Sequence, residues 1–528
     1  MIMSVASASF LLFLLVVTIV FYICPMKHRW IVLLMASICF YLIAGVWKGL
    51  PFIILTSFVI WTGAKKIGDI NHELNDELAA HPEFKRIDKI KLSKSYQKRS
   101  KKVLAACLVL CIGILIVTKF TKYVVVYMNQ FVGAERFSAA WVIVPLGISY
   151  YTFSTAGYIL DVYWKRYEAE QNFFRFFLYA IYFPHIVQGP ISRYNLLGQE
   201  LKKELKFDSQ RILFGMELMI YGFFKKLVIA DRLNIFINSV YDGANHPGSV
   251  FLVTMVFDAL MIYTDFSGYM DIVRGASQIF GVKLEDNFNH PFFSRSVREF
   301  WRRWHMTLGG WFKDYLCMPL AVSKPVKTMS KKVMKKHGVK AGMNVSTMVP
   351  LIAVWICTGL WHGTGKGYFI WGVYYGILIA VSSAFEDEFQ KLNEKLHINT
   401  KTYSFKLFQM VRTFCIFMGG RLLTSPGSIH ATKIVIKNVL VNLQPWRFFD
   451  GTLLNYGLSW SGFMILGLSI LTLWGVSMMQ ERFSVREKLS EQNLLFKGAI
   501  LMLAIFVVLI FGVYGMGYDA ASFVYMQY

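Results

Sequence analysis

Long apolar stretches alternate with short polar ones along this chain, and many of the apolar stretches exceed what a soluble core requires. Runs of roughly 18 or more apolar residues, enough to cross a hydrocarbon core of about 30 Å as helix, recur along nearly the whole length. Apolar runs lie near residues 4–24, 30–47, 51–64, 103–120, 139–160, 173–187, 211–230, 250–280, 347–361, 368–384, 404–418, 458–478 and 497–513. Several are short or broken by Gly and Pro. The pattern predicts an all-α polytopic membrane protein, a single domain over 1–528, with about eleven or twelve membrane helices. Some should be broken or re-entrant, because irregular backbone at membrane depth is tolerated only inside protein or around a cavity.

Composition agrees: 55% of the 528 residues are hydrophobic and 16% aromatic, which belongs to a bilayer. The net charge of +24 sits in the polar connections rather than on a soluble basic face, so topology explains it better than nucleic-acid binding. Residues 65–102 and 321–345 read as basic cytoplasmic loops, the first partly helical; Lys327, Lys331, Lys332, Lys335 and Lys336 mark the second. No Lys or Arg precedes the first run and no small-residue cleavage site follows it, so it reads as a retained helix. Lys27, His28 and Arg29 come next, placing the N-terminus outside a cell membrane by the positive-inside rule. The seven cysteines lack paired metal-ligand spacing, and Cys107 and Cys111 read as small packing residues. No metal site, Walker-type phosphate loop, nucleotide-binding glycine fingerprint or Gly-x-Ser-x-Gly elbow is found.

Polar groups inside a bilayer are costly, so function is sought where the apolar runs tolerate them. Trp361-His362-Gly363-Thr364-Gly365 closes the run that begins near Thr347. About fifteen helical residues at 1.5 Å each would carry His362 roughly 22 Å inward, past the midplane. The surrounding glycines would open space beside an imidazole suited to taking a proton from a hydroxyl. A buried structural histidine is the plainer alternative. Arg298, Arg302, His305 and Gly309, at spacings of four, three and four, would share one helix face and suit an anionic donor; an interfacial helix with a Glu299–Arg303 ion pair is the competing reading. Asp271 and Arg274 are spaced to pair, whereas Asp265 has no local partner and would face a polar cavity. The segment from Phe183 to Tyr194, with two prolines and a glycine, should not be continuous helix, and its His185 is not assigned to catalysis.

The stretch Asn287-Phe288-Asn289-His290-Pro291-Phe292-Phe293, continued through Phe300-Trp301-Arg302-Arg303-Trp304-His305 and followed by Trp361-His362-Gly363, resembles the membrane-bound O-acyltransferase family. The likeness is greatest to the bacterial branch that holds the alginate O-acetyltransferase and teichoic-acid D-alanylation membrane subunits. Asp265-Phe266-Ser267-Gly268-Tyr269, Trp311-Phe312-Lys313-Asp314-Tyr315 and the 183–194 segment share in it, from about residue 140 onward. The resemblance implies a ring of membrane helices around a central funnel, where a cytoplasmic acyl thioester, acetyl-coenzyme A or an acyl carrier protein, meets an extracytoplasmic acceptor. It implies His362 as general base and His305 as the second active-site histidine. Arg302 or Arg303 would position the donor or the developing charge, and Arg298, Asp265, Trp361 and Gly363 would line the cavity. The final Phe523-Val524-Tyr525-Met526-Gln527-Tyr528 resembles an ending proposed in this branch to carry the acyl group on a tyrosine. Tyr525 would then be a relay unloaded by a separate extracytoplasmic transferase; an interfacial aromatic anchor is the alternative. The function expected is O-acylation, chiefly O-acetylation, of an envelope polysaccharide, with no bound cofactor. D-alanyl transfer toward teichoic acid is the near alternative and a transporter or flippase the distant one.

Overall fold

A backbone in lipid must satisfy its own hydrogen bonds, and this chain does so with helices throughout. The structure, a computed structural model, describes residues 4–44, 47–140, 142–242 and 245–514. Among them there is no strand, only an isolated antiparallel bridge between Phe288 and Trp304. Two compact units are distinguished, residues 1–215 with 276–285 and residues 216–275 with 286–528.

The first unit contains α1 (Ala8–Ile23), α2 (Arg29–Ile43), α3 (Leu50–Ala80), α4 (Arg86–Val132), α5 (Ile148–Tyr163) and α6 (Phe173–Ile181). The basic 65–102 segment is the helical extension of α3 and α4 beyond their apolar parts, joined by a short turn. Tyr96 donates to Glu77 at 2.5 Å and Arg99 pairs with Glu73 at 3.1 Å, tying the two extensions together. Cys107 and Cys111 are buried packing residues, as expected. Helix α6 stops before Pro184, and the chain to Arg193 is irregular and almost wholly buried, as its prolines require.

Helix α7 (Ser209–Phe223) leads to a π-helical turn at Phe224–Ala230, then α8 (Asp231–Val240) and α9 (Gly248–Ile279). There follow α10 (Val297–Arg303), α11 (Met306–Phe312), α12 (Met318–Ala321), α13 (Lys324–His337), α14 (Val339–His362) and α15 (Lys366–Ala384). The chain continues through α16 (Glu386–Lys395), α17 (Tyr403–Arg421), α18 (Ile429–Val441), α19 (Trp460–Gln480), α20 (Val485–Ser490) and α21 (Leu494–Phe511). The second unit packs Phe236, Ile262, Phe300, Trp304, Phe417 and Leu466 into one core.

Eight helices among the described residues are long and apolar enough to cross a membrane. Three expected spans are shorter helices instead: α1 and α5 of 16 residues and α6 of 9. The 321–345 segment is not a loop. Its lysines, good helix formers, sit on α13 and the start of α14, separated by a turn at Gly338 with φ 89°. His362 therefore ends a 24-residue helix rather than a fifteen-residue one.

Candidate functional site

The second unit bends its backbone at His305. Arg298, Arg302, His305 and Gly309 do not share a single helix face, because the helix breaks between α10 and α11 with His305 left-handed at φ 45° and ψ 52°. The cause lies 18 residues upstream. Asn289 N–H donates to the Arg303 carbonyl at 2.9 Å, and Met306 N–H donates to the Asn287 carbonyl at 3.0 Å, so backbone groups that would continue the helix are taken by the 287–289 segment. The Asn287 side-chain oxygen accepts from Thr307 N–H at 3.0 Å and from the Thr307 hydroxyl at 2.6 Å, and lies 3.4 Å from His305 Nδ1. A non-glycine residue in this conformation costs about 1–3 kcal/mol and persists only where its surroundings fix it. The edge-to-face ring of Phe266, 4.9 Å away, completes the clamp.

His362 arrives from the other side as the last residue of α14. Its imidazole stacks edge-on against Trp371 of α15 at 5.2 Å and lies 4.7 Å from the Trp361 ring, which is itself 6.2 Å from His305. The neighbouring glycines do not open space here. A Cβ on Gly359 would stand 2.5 Å from the Tyr368 carbonyl oxygen and 3.2 Å from the Gly372 Cα, and one on Gly363 would meet the Tyr368 ring at 2.3 Å. They let α15 approach α14 closely, which is how helices associate when lipid removes the hydrophobic drive. Gly365 and Gly309 are the exceptions, with nothing nearer than 4.0 Å and 3.9 Å.

The two histidines, separated by 57 residues, line one cavity of about 360 Å³. Leu351, Val354, Thr358 and His362 form its wall along one face of α14, and Trp301, Trp304, Trp355 and Leu308 make it largely apolar. Arg298, Arg302, Gly309 and Lys313 also line it, and these four are exposed whereas His305 and His362 are buried. The cavity thus runs from a cationic mouth to an imidazole floor. Burial pushes the His305 pKa down, so its imidazole is neutral near pH 7.

Other expected site residues lie elsewhere. Arg303 is turned to Glu299 at 3.0 Å and Glu481 at 2.7 Å, so the predicted Glu299–Arg303 pair is present and Arg303 does not line the cavity. Asp265 is not left to a polar cavity; Lys226 pairs with it at 2.8 Å and with Asp231 at 2.8 Å. Asp271 lies 3.7 Å from Arg274 as expected, with Lys225 nearer at 2.5 Å. Tyr525 lies outside the described residues. Sequence reasoning missed Lys225 and Lys226, whose place in an otherwise apolar run was the available signal. It also missed the buried Asp258–Arg421 pair at 2.9 Å, the Asn287 clamp and Lys313 at the mouth.

Residues 169–334 match the membrane-bound O-acyltransferase family. The chain is 32% identical over 303 residues to a probable alginate O-acetylase of Pseudomonas syringae pv. tomato, covering 56% of this chain and 52% of that one. It is 28% identical over 303 residues to the peptidoglycan O-acetyltransferase of Helicobacter pylori, covering 52% and 54%. To the teichoic acid D-alanyltransferase of Bacillus subtilis it is 30% identical over 244 residues, covering 46% and 59%. The chain spans about half the length of the curated relatives it matches.

Proposed function

Taking residues 169–334 as a membrane-bound O-acyltransferase segment of a multi-pass membrane protein, we propose that the chain moves an acyl group, foremost acetyl, from a cytoplasmic thioester to a hydroxyl of an extracytoplasmic envelope polysaccharide. The observation that carries this reading is the single cavity on which His305 and His362 converge, with cations at its open end.

The sidedness follows from charge. Leu351 to His362 spans about 16 Å of helix, and the Leu351 end is the one nearer the lysine-rich α13 and the start of α14, which the positive-inside rule assigns to the cytoplasm. Arg298 lies 3.8 Å from Glu386, and Lys340 pairs with the adjoining Asp387 at 2.6 Å, so the mouth and the basic segment share that end. Arg298, Arg302 and Lys313 would receive the phosphates of coenzyme A or of a carrier protein's prosthetic arm, and the apolar wall would accept the arm itself. By the same rule Lys27 to Arg29 would lie on the cytoplasmic side of the cell membrane, with the N-terminus on the extracytoplasmic side.

In the reaction His362 takes the proton of the acceptor hydroxyl as its oxygen attacks the thioester carbon. The new C–O bond forms, the C–S bond breaks, and the departing thiolate takes the proton from the imidazolium. Neutral His305 supplies one N–H donor to the oxygen on which negative charge develops. The purified chain should consume acetyl-coenzyme A in the presence of a glycan acceptor. Consumption only of a D-alanyl carrier protein would move the assignment to the activity of the teichoic-acid relatives, and glycan movement without thioester consumption would make it a transporter. An acyl adduct on the C-terminal peptide that accumulates without a partner transferase would support the Tyr525 relay; its absence would favour direct transfer.

A further inference from the structure

Helix α16 is too short to stand alone. It has 10 residues, none of them buried, and no side chain caps its N-terminus. An isolated helix shorter than about 12–15 residues is marginal in water, so α16 needs a surface to lie on. Its residue pattern shows what kind. Phe385 and Leu396 at its two ends, with Phe389 and Leu392 between, fall within about 60° of one another around the helix axis. All four are 49–58% exposed. Asp387, Gln390, Lys391 and Glu394 lie on the opposite face.

Ion pairs fix the direction in which this stripe points. Glu386 lies 3.8 Å from Arg298 at the cavity mouth, and Lys340 of α14 lies 2.6 Å from Asp387 and 3.8 Å from Glu388. These side chains are exposed, and exposed pairs are worth little, so they orient the helix without holding it. A bilayer surface is at hand. Helix α15, one of the eight helices long and apolar enough to cross a membrane, ends at Ala384, and α16 starts two residues later. The first residue of the stripe, Phe385, therefore stands where the span leaves off. A second copy or another protein fits less well, because four half-exposed side chains offer well under the roughly 800 Å² per partner that a stable protein interface buries. A short helix with an apolar stripe and a charged back is the form that lies in the plane of a lipid interface.

We infer that α16 lies in the headgroup layer of the leaflet nearer the lysine-rich α13, with Phe385, Phe389, Leu392 and Leu396 turned into the acyl boundary and Asp387, Gln390 and Glu394 turned to water. The partner is the lipid surface itself. A zwitterionic surface suffices, because Arg298 and Lys340 already engage the acidic first turn of α16. Through Arg298 the seat sets the cavity mouth at headgroup level, which is the consequence that bears on the acyl-transfer reading; the seat itself needs no transfer.

The test uses the full-length protein in liposomes of radiolabelled phosphatidylcholine, with the photo-crosslinker p-benzoylphenylalanine placed at one α16 position at a time. At position 389 or 392 it should capture at least about fivefold more labelled lipid than at 390 or 394, whose side chains point away from the stripe. Leu392→Asp, in the protein with the crosslinker at 389, should cut lipid capture by at least about fivefold while the melting temperature in detergent stays where it was. His362→Ala should give wild-type capture, so a failure of the acyl-transfer reading would leave this result standing. Equal capture at the four positions overturns the inference. So does capture of a second protein chain at 389 in place of lipid, or lipid capture that Leu392→Asp leaves unchanged.

Discussion

His185 and His305 are both buried at breaks between helices, 1% and 3% exposed, yet their surroundings differ in kind. His185 lies in the proline-broken 182–193 segment of the first unit, its Nε2 3.1 Å from the Tyr179 carbonyl oxygen, with the Gly189 N–H donating to its own carbonyl at 2.9 Å. Its backbone is closely packed: a Cβ on Gly189 would stand 2.3 Å from the His185 Cα. His305 sits at a turn of the second unit that is clamped as tightly, but its ring faces a cavity that His362 also lines, with cations at the mouth. Burial and an irregular backbone are thus common to a histidine not assigned to catalysis and a candidate catalytic one. Open volume and a second imidazole separate them.

The sharpest way to break this contrast is to remove each ring. His305→Ala should lower the transfer rate about 10²–10³-fold with the protein still folded, whereas His185→Asn should leave the rate per folded molecule within about threefold and act on melting temperature instead. Equal rate losses for the two would erase the distinction. A smaller effect is expected at the clamp. Asn287→Ala removes the acceptor of both Thr307 bonds and should cost about tenfold in kcat with KM for the thioester little changed, while Asn287→Asp, which keeps the acceptor oxygens, should recover most of it.

Packing around His362 gives the next prediction. Gly359→Ala puts a methyl 2.5 Å from the Tyr368 carbonyl oxygen, and should cost about 1–3 kcal/mol by prising α14 from α15, read as a lower melting temperature. The smallest effect concerns pH. Because the folded pKa of His305 is held below the ordinary value of 6.5, the unfolded chain binds the extra proton first as pH falls. Its contribution to stability is complete above about pH 6.5 and declines below it, at no more than about 1.4 kcal/mol per pH unit, until the folded pKa is reached. His305→Asn should flatten that part of a melting-temperature profile between pH 6.5 and 5.

The sequence made His362 and His305 legible because both stand in recognisable aromatic and glycine settings, and the apolar runs located α9, α15, α17, α19 and α21 to within a few residues. Part of what it did not disclose is set by residues far apart along the chain. No Pro or Gly marks the break at His305; the break is imposed by Asn287 and Asn289 through hydrogen bonds that no helical periodicity can anticipate. Asp265 seemed unpartnered because Lys226 lies 39 residues away. Arg303 was read with Arg302 because they are adjacent, but neighbouring residues on a helix point about 100° apart, and Arg303 turns to Glu481 instead of the cavity. The 321–345 segment passes for a loop because its charge is read as solvation, although lysine is a good helix former and the segment is mainly helical.

The central claim is that one imidazole at the floor of the cavity takes the proton from the acceptor hydroxyl. The most direct measurement is single-turnover transfer of a radiolabelled acyl group from a saturating thioester to a glycan acceptor by wild type and by His362→Ala, both reconstituted in liposomes. A fall of about 10³–10⁴-fold in the transfer step, with thioester binding retained, is the predicted result. Transfer by His362→Ala within a few fold of the wild type would contradict it.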